Sequence, residues 1–336
     1  MQGIGLSLPN RGILFGAITV AEMLELAEYA DKGDFFDSVW VGDGLIAKPR
    51  VEAVTSLAAI SARTERVRLG VCCLATFPLR QPVVFASQWA SLDVLSGGRT
   101  LLAVCLGATT ERSGGHVSAV LAAAGITGRE RVPRLEEGIA LVRALWSGST
   151  AWDGRFWSFP EVSLDPKPVQ DPCPIWIASN PDPSRMPDHR YQAAIERVGR
   201  LADGWQTAVT TPDEFGRKWD QIRSAAAAAG RDPDALRSSA HLMINLAADR
   251  SAARAEGKRF LDTYYSMDSD DELLDRWGAF GTTEDVLGRI DEYLDRGLDV
   301  PILRFASFDQ PGQMELAEAT LLPELMRRRT TVRAGL

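Results

Sequence analysis

Short apolar runs alternate with stretches of helical periodicity, eight times over, along a chain of 336 residues. The first run, "IGLSL" (Ile4–Leu8), stops at Pro9-Asn10. Thr19 then caps a helix, with Glu22 three residues on as its capping-box partner. Val20, Met23, Leu24 and Ala27 share one apolar face of that helix. The pattern recurs through "SVWVGD", "VRLGVCCLA", "TLLAVCLG", "PIWIAS", "DGWQT", "SAHLMINLA" and "VPILRF". Helical faces follow, such as Phe215, Trp219, Ile222 and Ala226 after the sixth run. Strand–helix alternation predicts an α/β chain closed as a (β/α)8 TIM barrel, one domain over 1–336. A doubly wound sheet is the alternative, but no Gly-x-Gly-x-x-Gly follows the first strand. Four segments, 108–131, 150–173, 180–190 and 248–281, read as insertions carried after strands four, five and seven. The second holds a turn dipeptide, Asp153-Gly154, between aromatic runs and predicts a hairpin.

The formal charge is -8 and the pI about 5.1, which argues against a general nucleic-acid binder. No apolar run approaches the roughly 18 residues of a membrane span. "MQGIGLSLPN" has neither the basic start nor the apolar core of a signal peptide, so a cytoplasmic chain is expected. Cys72, Cys73, Cys105 and Cys173 lack metal-type spacing and read as reduced interior cysteines. The three histidines stand far apart in sequence, so no local metal motif is present.

In such a barrel the chemistry sits at the C-terminal ends of the strands. Those ends are Pro9-Asn10, Asp43-Gly44, Ala75-Thr76, Cys105 to Ala108, Ser179-Asn180, Gln206-Thr207, Asn245 and Arg304 to Ser307. They offer one carboxylate, one guanidinium, and several small, amide or hydroxyl residues. That set suits a large planar cofactor. It suits a hydrolase poorly, because neither a Ser–His pair nor a carboxylate pair is evident.

Several stretches together carry a family resemblance: "FFDSVWVGD", "RLGVCCLATFPLRQPVVFASQWASLDVLSGGRTLLAV", "RLEEGIALVRALWSG", "FWSFPEVSLDPKPVQDPCPIWIAS", "RLADGW" and "FGTTEDVLGRIDEYLDRGLDVPILRF". In this order the chain resembles the bacterial luciferase-like flavin oxidoreductases. The resemblance implies a monooxygenase using reduced FMN and oxygen on a small organic substrate, with FMN supplied by a separate reductase. Hydride transfer with coenzyme F420 is the alternative, and a homodimer is also implied. A non-catalytic flavin-binding barrel is the alternative of another class.

By the same resemblance the ring packs on Leu74, Ala75 and Thr76 and on Cys105 to Gly107, with a non-proline cis peptide between Cys73 and Thr76. The phosphate end meets Ala178, Ser179 and Asn180. Two departures stand out. Gly44 occupies a position where relatives often carry histidine, and Leu106 one where some carry a phosphate-binding arginine. The catalytic candidates are therefore Asp43, Cys105 and the loop residue His116. Asn10, Gly44, His189 and Arg304 are candidates for the substrate side. His241, placed at the start of the seventh strand, reads as structural, and Trp40 and Trp205 as core.

Overall fold

A computed structural model describes residues 1–44, 48–107 and 116–333, without the side chains of His116 and of 329–333. The strands are β1 (Gly5–Ser7), β2 (Ser38–Val41), β3 (Arg68–Val71), β4 (Thr100–Val104), β5 (Trp152–Asp153), β6 (Ser158–Phe159), β7 (Ile175–Ala178), β8 (Gly204–Ala208), β9 (Arg237–Leu246), β10 (Gly278–Gly281) and β11 (Val300–Phe305). The α-helices are α1 (Val20–Lys32), α2 (Ala53–Ser61), α3 (Pro82–Leu95), α4 (His116–Ala123), α5 (Arg131–Trp146), α6 (Asp188–Leu201), α7 (Pro212–Ala228), α8 (Arg250–Tyr265), α9 (Asp271–Trp277), α10 (Thr283–Leu294), α11 (Gln310–Leu316) and α12 (Leu322–Arg333).

Eight strands close in parallel, in the order β9-β11-β1-β2-β3-β4-β7-β8 and back to β9. The predicted (β/α)8 barrel is therefore present. Its strands are short apolar runs buried on both faces, one facing the interior and one facing the helices. Trp40, Leu101, Ala103, Trp176 and Ile302 fill the interior. The Trp40 indole donates to the Ser38 hydroxyl at 2.8 Å, so its one polar atom is satisfied inside. Gly5 and Gly70 make room for it: a Cβ on Gly5 would lie 2.6 Å from Trp40 Nε1, and one on Gly70 would overlap the ring. Trp205 is also buried, stacked on Phe215 with ring centroids 5.0 Å apart.

Local signals acted as expected. Thr19 and Glu22 form the capping box that starts α1, and Thr211 and Thr282 start α7 and α10 in the same way. The hairpin around Asp153-Gly154 is β5 paired with β6. Other segments differ from expectation. α6 begins at Asp188, within the expected insertion 180–190, because Pro187 fits the residue before a helix and Asp188 favours its first turn. The acidic stretch 248–281 holds two helices and β10, since Ala253, Gly257, Phe260, Leu261 and Tyr264 form a buried helical face that its charge conceals. The cis peptide is Cys72–Cys73, just before the expected span, because β3 ends at Val71. Residues 108–115 of the insertion 108–131 lie outside the described residues; α4 and a short 3-10 turn at Gly128–Glu130 occupy the rest. Among the described residues no helix is long and apolar enough to cross a membrane.

Candidate active site

A cavity of about 450 Å³ opens over the C-terminal ends of β3, β4, β7 and β8. One side is thin. Cys73, Ala75, Cys105, Gly107, Ala178 and Ala208 line it with small side chains or none. Gly107 has φ +74, and a Cβ there would sit 3.0 Å from the Ala75 carbonyl oxygen. The lining also carries Arg50, Gln206, Thr207, His241, Tyr265 and Trp277, with His241 directly beside Ala208 in the strand register. Gln206 Nε2 and Thr207 Oγ1 are buried without a hydrogen-bond partner among the described residues. An unpaired buried polar group costs about 1–3 kcal/mol, so a cavity that keeps two of them fits a ligand with a polar edge. The thin side fits a flat ring.

Asp43 reaches this cavity from the end of β2, but its carboxylate is engaged. The Thr76 amide and hydroxyl each donate to Oδ2 at 2.8 Å. Arg80 lies 3.7 Å from Oδ1, donates to the Thr76 hydroxyl at 2.9 Å, and pairs with Glu52 at 2.7 Å. Asp43 thus ties the end of β2 to the end of β3. This is the physical reason for a carboxylate at that strand end.

Cys105 lies in the floor, and the Cys73 thiol donates to its sulfur at 2.6 Å. The hydrogen bond to Cys105, then burial, push the Cys73 thiol well above its usual range. The Gly107 amide also donates to Cys105 Sγ, at 3.4 Å.

Beside the floor lies a buried polar cluster. The Ser7 hydroxyl oxygen accepts from Arg304 Nη2 at 2.6 Å and Nε at 3.2 Å, and stands 3.1 Å from His241 Nε2. Arg304 is 1% exposed, donates also to the Leu8 carbonyl, and lies 4.6 Å from the Tyr264 ring centre. Burial, then the charges of Arg304 and Arg50, hold His241 well below the usual histidine range. Burial pushes the Tyr265 phenol up.

At the other end, Ser179 and Asn180 line the cavity. The Ser179 hydroxyl makes no hydrogen bond among the described residues. Asn180 Nδ2 donates to the Ala208 and Val209 carbonyls at 2.7 and 2.9 Å, pinning a turn in which Val209 has φ 55. That conformation is costly for a β-branched residue and is held in place from outside. Lys218 secures the arrangement by donating to Asn180 Oδ1 at 2.6 Å. Because α6 starts only at Asp188, its N-terminus does not directly follow Ser179. Arg197 lines the cavity but is paired with Glu136 at 2.7 Å.

Burial pushes Lys218 down to about 8. Between that value and the ordinary lysine value the unfolded chain binds more protons than the folded one, so stability rises with pH there. Wild type should therefore gain on Lys218→Met between about pH 7 and about pH 10. Urea midpoints of both proteins check this, and a pH-independent difference would refute it.

The structure gathers Asp43, Ala75, Cys105, Gly107, Ala178, Ser179 and Asn180 around one cavity. Other candidates lie elsewhere. Leu74 is fully buried beneath, its amide bonded to Ala103. Thr76 is buried as the partner of Asp43. Asn10 bridges the Gly42 amide and carbonyl and the Val51 carbonyl, which makes it a strut of the β1–β2 loops. Gly44 stands beside the mouth, where a Cβ would meet the Lys48 carbonyl at 2.9 Å. His189 is exposed on α6, and the His116 side chain lies outside the described residues. Arg304 acts from behind the wall through Ser7.

The expectation for His241 is corrected. β9 begins at Arg237, and His241 pairs in register with Ala208, the last residue of β8. Strand stagger in a tilted barrel brings the middle of one strand level with the end of its neighbour, which strand-by-strand counting overlooks. Arg50, Tyr265 and Trp277 were missed because they arrive from loops and from the 248–281 segment.

Comparison with known proteins shows the family and the fold. A family model described as luciferase-like monooxygenase matches residues 3–299. A phthiodiolone/phenolphthiodiolone dimycocerosates ketoreductase of Mycobacterium tuberculosis is 31% identical over 225 residues, 59% of this chain and 54% of that protein. The chain thus spans about half the length of that relative. An F420-dependent hydroxymycolic acid dehydrogenase of the same species is 28% identical over 80% of this chain and 74% of its own length. The solved structure of monooxygenase RslO1 from Streptomyces bottropensis superposes with a TM-score of 0.77 and 25% identity, covering 97% of this chain and 100% of that one. With the family model spanning most of its length and the cavity at its strand ends, this chain belongs to the luciferase-like monooxygenase family of oxidoreductases.

Proposed function

We propose that this chain binds a flavin-type ring against the thin side of the cavity and exchanges a hydride with an oxygen-bearing carbon of a small organic substrate, with coenzyme F420 as the carrier. When bound, F420 supplies a two-electron hydride donor or acceptor. The carrying observation is the polar part of the cavity lining, Arg50, Gln206, Thr207 and His241. It is rich in hydrogen-bond donors, and the carboxylate in the cavity, Asp43, already accepts from Thr76. Such donors orient a substrate oxygen. Gly107 keeps the ring side flat, and the Ser179 hydroxyl offers a donor to a phosphate, while its amide is already given to the Gln206 carbonyl. Similarity to an F420-dependent dehydrogenase across 80% of the chain supports the same direction.

The second reading is a monooxygenase using reduced FMN and oxygen, served by a separate reductase. Its support is the 25% identity to RslO1 over nearly the whole chain. Fluorescence titration with F420 and FMN, followed by anaerobic single turnover against ketones and secondary alcohols, separates the two. Expected is F420 binding and oxidation of the bound reduced form by a ketone without oxygen. Binding of FMN alone, with turnover only when oxygen is admitted, would transfer the assignment to the second reading. Binding of neither would leave a barrel without this chemistry.

A further inference from the structure

We propose that His241 is a catalytic residue, a neutral imidazole that donates a hydrogen bond through Nδ1 to the oxygen of a carbonyl substrate. This rests on the function proposed above and names the group that meets the substrate. The hydrogen-bond inventory around Ser7 assigns the tautomer. A serine hydroxyl has two acceptor sites and one proton. Arg304, which can only donate, directs Nε and Nη2 at the Ser7 oxygen, at 3.2 and 2.6 Å, and fills both acceptor sites. His241 Nε2, 3.1 Å from that oxygen, is then left to accept the Ser7 proton. The alternative taker, Cys72 Sγ, is farther away at 3.5 Å and is a weak acceptor.

A neutral imidazole that accepts at Nε2 carries its proton on Nδ1. Nδ1 has no hydrogen-bond partner among the described residues, and His241 lines the cavity. The groups around the ring keep it neutral. Arg304 comes from β11, Arg50 from the loop after β2, Tyr264 and Tyr265 from α8, and Cys72 follows β3. Among the described residues no carboxylate is one of these groups; Asp43, in the same cavity, accepts from Thr76. The ring is also fixed: Trp277 lies edge-on with centroids 6.1 Å apart, and its Nε1 donates to the His241 carbonyl at 2.9 Å.

A donor beside Arg304 and Arg50 favours an oxygen that gains negative charge. A carbonyl receiving a hydride does so, and a secondary alcohol reaches the same state in reverse. The role is a hydrogen bond, and the Nδ1 proton stays on nitrogen; the alkoxide formed by hydride addition takes its proton from solvent at the cavity mouth, and in the reverse direction the alcohol proton leaves to solvent. Ser7 and Arg304 are positioning residues that hold the tautomer.

The chain has three histidines, so two-bond 15N–1H spectra of the 15N-histidine-labelled protein without cofactor are readily assigned. His241→Asn identifies the His241 signals by their loss. Expected is one Nδ1–H tautomer, unchanged between about pH 5 and 8. An Nε2–H tautomer, or titration in that window, would overturn the proposal. Ser7→Ala should give a mixture of tautomers and Ser7→Thr restore one; a single Nδ1–H form in Ser7→Ala would overturn the role given to Ser7. In ketone reduction with reduced F420, His241→Leu should lower kcat by about 100-fold or more, and His241→Asn, which keeps a donor near Nδ1, by clearly less. Unchanged kcat in His241→Leu would overturn the substrate contact. A protein that binds no F420 would instead defeat the proposed function, because the tautomer is read without cofactor.

Discussion

Replacing Trp40 with alanine is expected to lower stability by about 3–5 kcal/mol. Trp40 is fully buried at the centre of the barrel, and its neighbours are shaped to it. Gly5 and Gly70 give up their side chains to its ring, and Trp176 packs beside it with centroids 6.1 Å apart. None of these can expand to refill the space, and the strands are tied around a closed ring. The cavity left behind would stay largely empty, which places the loss toward the upper part of the range. Urea denaturation of the two proteins at one pH measures it. A loss below about 1 kcal/mol would show that the interior can collapse around the gap.

Gly107→Val should abolish cofactor binding while leaving the barrel folded. Gly107 ends the fourth barrel run in the left-handed region, with φ +74. A β-branched residue there carries strain of about 1–3 kcal/mol. Its Cβ would press on the Ala75 carbonyl at 3.0 Å, at the wall proposed to carry the ring. Gly107→Ala should show a smaller effect of the same sign. Fluorescence titration reads affinity, and circular dichroism confirms the fold. Wild-type affinity in the valine variant would mean that the ring lies elsewhere.

The barrel was legible because alternating apolar runs and capped helical faces are local signals. Thr19 with Glu22, and Asp153-Gly154, acted where they stood. The floor was legible for a related reason, since residues that end consecutive strands must share one end of the barrel. Asp43, Ala75, Cys105, Gly107 and Ser179 follow from that rule alone. The rule fails for residues that look out from strand ends but bond to neighbours instead. Asn10 spends its amide on Gly42 and Val51, and Thr76 spends its hydroxyl on Asp43. It also fails for His241, whose height depends on stagger between strands, a property of the closed sheet rather than of any run. Tyr265 and Trp277 lie in a segment whose acidic surface hides its buried face.

The ten residues of β9 have a further consequence. Their first half pairs with β8, at Arg237 to His241, and closes the ring. Their last four, Met243 to Leu246, pair instead with β10, outside the ring. The sheet therefore forks at the rim: one strand serves the closed wall below and a side panel above. Changes of length or composition in that panel can redraw the opening while the eight-strand closure beneath keeps its register. Only the edge toward β8 divides in this way: the other edge of β9 stays paired with β11 from Ser239 to Ile244, so Met243 and Ile244 belong to the closed wall and the side panel at once.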